Sequence, residues 1–182
     1  VPTHALVIDF ENVIPTNTYD HVIVDGFEFD YINNNGWAIS NLSGVVNTLG
    51  NGTIFITCRD TSDSDCAITM TRVNGLPFYL SQFDGADARL GIGGRTIEVT
   101  GSHFGGGTVV ETFTTVANTF TTYATTSMNN LVSVDFRGFG PGDDMIAFDN
   151  IHVASAVVPE PTSHCLLLLS LVAVNVRRKR PA

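Results

Sequence analysis

The stretch Thr96-Ile97-Glu98-Val99-Thr100 alternates polar and apolar residues, as expected of a β-strand that buries one face. The same period-two alternation recurs from residue 1 to residue 158, and no part of that range sustains the apolar spacing that indicates an amphipathic helix. Turn-forming clusters of Gly, Asn and Pro separate most of the alternating segments. We therefore predict eleven strands, at residues 5–10, 22–31, 37–42, 53–58, 67–73, 78–83, 96–100, 108–116, 119–124, 131–136 and 145–153.

These strands predict an all-β fold, and within it a two-sheet antiparallel β-sandwich of the jelly-roll kind over residues 6–155. Parallel βαβ units are disfavoured, because no helical stretch of about 10 to 15 residues is available for crossover connections. The body is long enough to bury one core and contains no linker, so we expect a single domain. The threonine-rich segment 108–126 fits strands with one solvated face, although a low-complexity or O-glycosylated stalk is a second interpretation.

Residues 1–158 are strongly acidic, because they hold 17 Asp or Glu, five Arg and no Lys, a net charge of −12. Such a field repels phosphate backbones and argues against nucleic acid as a partner. It is compatible with calcium ions and with neutral polysaccharides.

The composition changes after residue 155. Pro159-Glu160-Pro161 is followed by an apolar run at residues 163–176 and then by a basic cluster formed by Arg177, Arg178, Lys179 and Arg180. As a helix, the apolar run would measure about 21 Å, less than the ~30 Å hydrocarbon core of a bilayer. Basic residues directly after it favour a cytoplasmic C-terminus. We therefore expect a short C-terminal hydrophobic helix that anchors weakly, with the preceding body exported.

The order of these three parts in residues 156–182 resembles the PEP-CTERM sorting signal of Gram-negative bacteria, also labelled the ice-binding protein C-terminal domain. The resemblance implies that a membrane exosortase reads Pro159, Glu160 and Pro161, and that the helix enters the inner membrane only transiently. The body would then reach the cell surface or extracellular matrix. A single-span anchor without a sorting role is the alternative. Residues 1–5 are interpreted as the remnant of a cleaved signal peptide.

Four short motifs of the body resemble jelly-roll domains found upstream of such signals, and with them carbohydrate-binding modules. They are Ile8-Asp9-Phe10-Glu11, Asp25-Gly26-Phe27-Glu28-Phe29, Ile97-Glu98-Val99-Thr100-Gly101 and Ala147-Phe148-Asp149-Asn150-Ile151-His152-Val153. The resemblance implies a structural calcium ion held by acidic residues of the first and last strands, here Asp9 or Glu11 together with Asp149.

The carboxylate of Asp149 stands in an apolar row if the last strand alternates strictly. It must then bind a cation, accept hydrogen bonds or escape through a β-bulge, because an unpaired buried carboxylate is costly. A hydrogen-bonded corner of Asp149 and Asn150 is therefore the alternative to calcium.

Planar aromatic residues near loops are candidates for sugar binding. Trp37, the only tryptophan, follows Asn33-Asn34-Asn35-Gly36, and Tyr31 precedes that loop. The alternative is that Trp37 begins a strand and packs inward. Phenylalanine outnumbers the other aromatic residues, with 12 Phe against 4 Tyr and 1 Trp, which favours core packing over a sugar-binding platform.

Cys58 and Cys66 flank a polar loop that suits the end of a hairpin, so we expect them to form a disulfide in an exported chain. Free thiols are the alternative. A zinc site would need two further ligands that the neighbouring sequence lacks.

No catalytic constellation stands out in the sequence. The many carboxylates offer no single acid pair, and His21, His103 and His152 follow no nucleophile or metal-binding motif. We therefore expect a non-enzymatic exported surface or matrix protein that binds polysaccharide. The alternatives are a secreted hydrolase and a structural or ice-interacting protein.

Overall fold

The computed structural model describes residues 5–14, 21–31, 39–40, 54–59, 66–87, 94–117, 119–139 and 145–155. Every regular element in these ranges is a β-strand, which confirms the all-β prediction for them. None of the described residues forms a helix long and apolar enough to cross a membrane. The strands are β1 (Ala5–Ile8), β2 (His21–Val24), β3 (Phe27–Tyr31), β4 (Ile39–Ser40), β5 (Phe55–Arg59), β6 (Cys66–Arg72), β7 (Phe78–Asp87), β8 (Thr96–His103), β9 (Thr108–Thr114), β10 (Thr121–Ala124), β11 (Leu131–Phe139) and β12 (Met145–Ser155).

All hydrogen-bonded pairings between these strands are antiparallel. One group, here called the front sheet, has the order β2-β3-β6-β11-β8-β9. The other, the back sheet, has the order β10-β7-β12-β5-β4, with β1 also paired to β12. The predicted two layers are therefore present. They are also joined, because Leu131 pairs with Phe78 of β7 beside a bulge in β11, so that all strands form one nearly closed sheet.

The core between the two layers is built largely from phenylalanine. The ring of Phe83 on the back sheet is fully buried, with its centroid 5.4–5.9 Å from four other rings, those of Phe113, Tyr123, Phe136 and Phe148. Edge-to-face contacts at 5.2 Å join Phe27 to Phe78 and Phe10 to Phe29. Such pairs add to the free energy gained from burial of the rings. The described phenylalanines thus mostly serve packing, as their excess in the sequence predicts.

The prediction of one strand over residues 22–31 is wrong, because the structure has a hairpin there. Asp25 and Gly26 connect β2 to β3 and have φ angles of 51° and 80°. Two consecutive left-handed residues are the requirement of a type I′ turn, for which Asp-Gly is a preferred pair. Val22 and Val24 pack inward before the turn and Phe27 and Phe29 after it, so the alternation shifts by one residue across Asp25-Gly26.

Strict alternation in the last strand is also wrong. Ile146 and Phe148 face the core, and so do Ile151 and Val153, so that the pattern shifts by one residue between them. The shift lies at Asn150, which has a φ of 46°, where the register against β7 is interrupted. This bulge turns Asp149 away from the core, so it does not share a face with Ile151 and Val153.

Several predicted features lie outside the described residues. They are residues 1–4 of the signal-peptide remnant predicted at residues 1–5, of which Ala5 begins β1, together with Trp37, the hydrophobic helix at residues 163–176, and the sorting-signal residues Pro159, Glu160, Pro161, Arg177, Arg178, Lys179 and Arg180.

Candidate functional site

The outward surface of the front sheet is mostly polar, although exposed Ile23 and Val110 stand among its outward residues. Residues of β8 and β11 alternate between buried and half-buried positions, so that Val99 and Phe136 enter the core while Thr100 and Asp135 face outward. The register extends this outward row across β6 and β3. The surface, here called the polar face, consists of Glu28, Asp30, Thr69, Thr71, Glu98, Thr100, Ser102, Thr112, Ser133, Asp135, Arg137 and Phe139.

Polar side chains stand directly opposite each other on this face. Asp30, Thr69, Asp135 and Thr100 form one row across four strands, and the Thr69 hydroxyl donates a hydrogen bond of 2.7 Å to Asp135 Oδ1. Neighbouring strands are about 4.8 Å apart, so donors and acceptors recur along the row at that spacing. The row can therefore meet hydroxyl groups spread along an extended ligand.

The centre of the polar face holds Arg137 and Glu98, which are opposite each other in the register. Both side chains are half-buried, and neither makes an ion pair or hydrogen bond with another described residue. Phe139 lies two residues beyond Arg137 on the same face, opposite Thr96. A guanidinium, a carboxylate and an aromatic ring thus lie side by side with their polar groups available to a ligand.

The predicted calcium ligands are engaged with backbone amides. Asp9 Oδ1 accepts a hydrogen bond from Glu11 N at 3.2 Å, and Glu11 Oε1 accepts one from Ile54 N at 2.9 Å. Asp149 is fully buried, and its Oδ1 accepts a hydrogen bond from Asn150 N at 2.8 Å. The carboxylates of these three acids do not form a set with all ligating atoms within 4.8 Å of one another. Calcium at these residues stays a prediction.

Asp84, which sequence reasoning did not single out, stands opposite Asp149 across β7 and β12. It accepts hydrogen bonds from the Thr122 hydroxyl at 2.5 Å and from Asn150 Nδ2 at 2.9 Å. The hydrogen bonds at Asp84 and Asp149 together with the bulge correspond to the predicted Asp-Asn corner. No local sequence pattern predicts the role of Asp84, because its hydrogen-bond partners Thr122 and Asn150 are 38 and 66 residues away along the chain.

The two cysteines lie in different layers. Cys58 is opposite Ile146 in the back sheet and Cys66 is opposite Gly138 in the front sheet, so β5 and β6 do not form the predicted hairpin. Their thiols are outside the described side chains, and the disulfide stays a prediction. Tyr31 ends β3 opposite Ile68, and its ring is likewise not described.

A comparison with protein-family models finds no match, and neither does a comparison with curated proteins. Among solved structures, a family 29 carbohydrate-binding module complexed with mannohexaose is similar, with a TM-score of 0.50 at 16% identity over 86% of this chain and 94% of that chain. A second structure from that family has a TM-score of 0.51 at 14% identity, over 88% of this chain and 99% of the module. An exo-β-agarase has a TM-score of 0.54 at 12% identity, over 84% of this chain but 25% of the agarase. At these identities the likeness shows that the fold is that of carbohydrate-binding modules.

Proposed function

We propose that this protein is a non-enzymatic module that binds a neutral polysaccharide on the polar face. The observation that carries the proposal is the cluster of Arg137, Glu98 and Phe139. The guanidinium of Arg137 and the carboxylate of Glu98 have no hydrogen-bond or ion-pair partner among the described residues. Guanidinium and carboxylate groups bind the hydroxyls of a sugar, and an aromatic ring packs against its C–H face. The fold shared with carbohydrate-binding modules supports this function.

The charge of the body supports a neutral ligand. Its net charge of −12 over residues 1–158 would repel the carboxylates or sulfates of an acidic polysaccharide. Mannan and agarose are the first neutral probes, because similar folds occur in a mannohexaose-binding module and an agarase.

Binding is tested by affinity electrophoresis of the full chain in gels containing mannan, agarose or other neutral polysaccharides. Arg137→Ala, Glu98→Gln and Phe139→Ala are each expected to raise Kd about tenfold or more, a loss of about 1.4 kcal/mol. Phe104→Ala is the matched control, because Phe104 is 57% exposed and lies in the turn between β8 and β9, outside the polar face. It should leave Kd unchanged.

Two results would count against this proposal. One is no retardation by any neutral polysaccharide, and the other is equal retardation of the wild type and the three variants. Release of reducing ends from the same polysaccharides would instead favour the alternative of a hydrolase.

We also propose export through the exosortase route, which rests on the sequence of residues 156–182. Pro159-Glu160-Pro161, the apolar run and the basic end occur in the order of that sorting signal. A polysaccharide-binding module delivered to the cell surface would act in an extracellular matrix.

A further inference from the structure

One imidazole and two carboxylates converge on the β2–β3 hairpin, at the edge of the front sheet. His21 Nδ1 lies 2.9 Å from Asp30 Oδ1 and 3.0 Å from Glu28 Oε1, and ligating atoms of all three lie within 4.8 Å of one another. Among the described residues, no other three His, Cys, Asp or Glu side chains converge in this way. From this geometry we propose that His21, Glu28 and Asp30 bind a divalent first-row transition metal such as Zn²⁺.

The hairpin register holds the three ligands on one side of the sheet. His21 is directly opposite Asp30, and Glu28 is two residues from Asp30 on the same face of β3. Phe27 and Phe29, which alternate with these ligands along β3, are buried in the core and anchor the strand. The positions of the ligands therefore follow from packing on the opposite face of the hairpin.

The distances suit a transition metal. Such ions bind imidazole nitrogen and carboxylate oxygen at about 2.0–2.2 Å, which in a tetrahedral site places ligand atoms about 3.3–3.6 Å apart. The His21 separations of 2.9 and 3.0 Å are shorter than this, so the two carboxylates would move away from the ring by about half an ångström to admit the ion. Imidazole with carboxylates suits zinc, copper or nickel, whereas calcium prefers six to eight oxygen ligands.

The electrostatic environment favours a cation at the same place. The carboxylates of Asp30 and Glu28 lie 2.9 and 3.0 Å from Nδ1 of His21, so two negative charges surround the position that a cation would take. The neighbouring strand β6 presents Thr69 and Thr71 opposite the two acids, and these hydroxyls do not titrate at ordinary pH. No positive side chain on this face of β2, β3 or β6 therefore competes with a metal ion.

The site is open to solvent. The side chains of His21, Glu28 and Asp30 are 47%, 34% and 46% exposed. Three protein ligands leave coordination positions for water or for oxygen atoms of a ligand. The proposal does not depend on polysaccharide binding, because it concerns the metal alone.

The test is titration of ZnCl₂ into the full chain by isothermal calorimetry near neutral pH. We expect a binding site that is lost in His21→Ala and weakened at least about tenfold in Asp30→Asn, which removes the charge but keeps the shape. His103→Ala is the matched control, since the ring of His103 bonds Asn129 O outside the cluster, and it should bind as the wild type does. A melting curve recorded without metal shows whether each variant is folded. If His21→Ala is unfolded, the zinc affinity of Asp30→Asn alone tests the proposal.

Two further readouts separate this site from other binding. CaCl₂ should not compete with Zn²⁺ at this site. Acidification through the range in which His21 is protonated should release the metal, because the proton and the metal compete for Nδ1. Zinc binding by His21→Ala or Asp30→Asn with wild-type stoichiometry and affinity would overturn the proposal. So would the absence of zinc binding to the wild type.

Discussion

At the residue scale, Glu111 of β9 shows how one side chain ties a connection to the sheet. Its carboxylate accepts hydrogen bonds from Ser127 N at 2.8 Å, from the Ser127 hydroxyl at 2.7 Å and from Thr126 N at 3.0 Å. Partial burial raises the pKa of Glu111, but the bonds from Ser127 and Thr126 together outweigh it and lower the pKa. The ionised form is therefore the one that holds the segment before β11 against β9.

Glu111→Gln is expected to lower the free energy of unfolding by about 1 kcal/mol at neutral pH, because charge-assisted bonds become weaker neutral ones. A group whose pKa is lowered on folding stabilises the protein above its unfolded pKa, ordinarily 4.5 for Glu, and that contribution disappears as the pH falls through the folded value. Urea denaturation at neutral and acidic pH measures both effects.

The matched control for Glu111 is Glu98→Gln on β8, where the carboxylate has no hydrogen-bond partner among the described residues. It should change stability little. A difference between wild type and Glu111→Gln that grows on acidification would contradict the assigned role of the ionised carboxylate.

At the element scale, the β2–β3 hairpin depends on its two-residue turn. A search for alternation predicts the strand character of residues 22–31 but not the reversal inside them, because Asp25-Gly26 interrupts a pattern that is apolar on both sides. The Asp-Gly pair itself was the available signal for the turn. The turn also decides whether His21 meets Asp30, so the proposed metal cluster belongs to this element.

Gly26→Ala should destabilise the protein by about 1 kcal/mol, because a φ of 80° is costly for a residue with a Cβ. The cost comes from the backbone alone, since nothing lies within 4 Å of an added Cβ. Gly26→Asn is the control, because Asn tolerates the left-handed conformation better, and it should retain more stability in urea denaturation. Equal stability of the two variants would show that the turn is not formed as described.

At the scale of the whole molecule, two layers enclose one phenylalanine-rich core, and the polar face lies on the outside of one of them. The all-β class and the excess of core phenylalanine were predictable, since both are properties of composition and local alternation. Glu98 occupies a position that alternation in the predicted strand 96–100 assigns to solvent, whereas Arg137 lies one residue beyond the predicted strand 131–136. Their pairing was not predictable, because the two residues are 137 − 98 = 39 positions apart, on strands that only the tertiary structure brings together.

The sorting proposal also concerns the whole chain. The protein recovered from the surface of the cell that makes it should have lost the leucine run Leu166 to Leu169, because an exosortase is expected to cut near Pro159-Glu160-Pro161. Intact mass spectrometry of that protein measures the loss. A surface form that still carries those leucines would contradict this route, whereas the polysaccharide assay would be unaffected.

The amino-acid sequence by itself determines that this is an acidic, antiparallel all-β body with a phenylalanine core, because these properties follow from local alternation and composition. Only the tertiary structure decides which strands are neighbours and which face each residue takes. A bulge at Asn150 and a turn at Gly26 each shift the alternation, and such shifts move side chains from one face to the other. Asp149 is opposite Asp84, and Arg137 is opposite Glu98, because of the long-range register between their strands. No local pattern in the sequence contains that register.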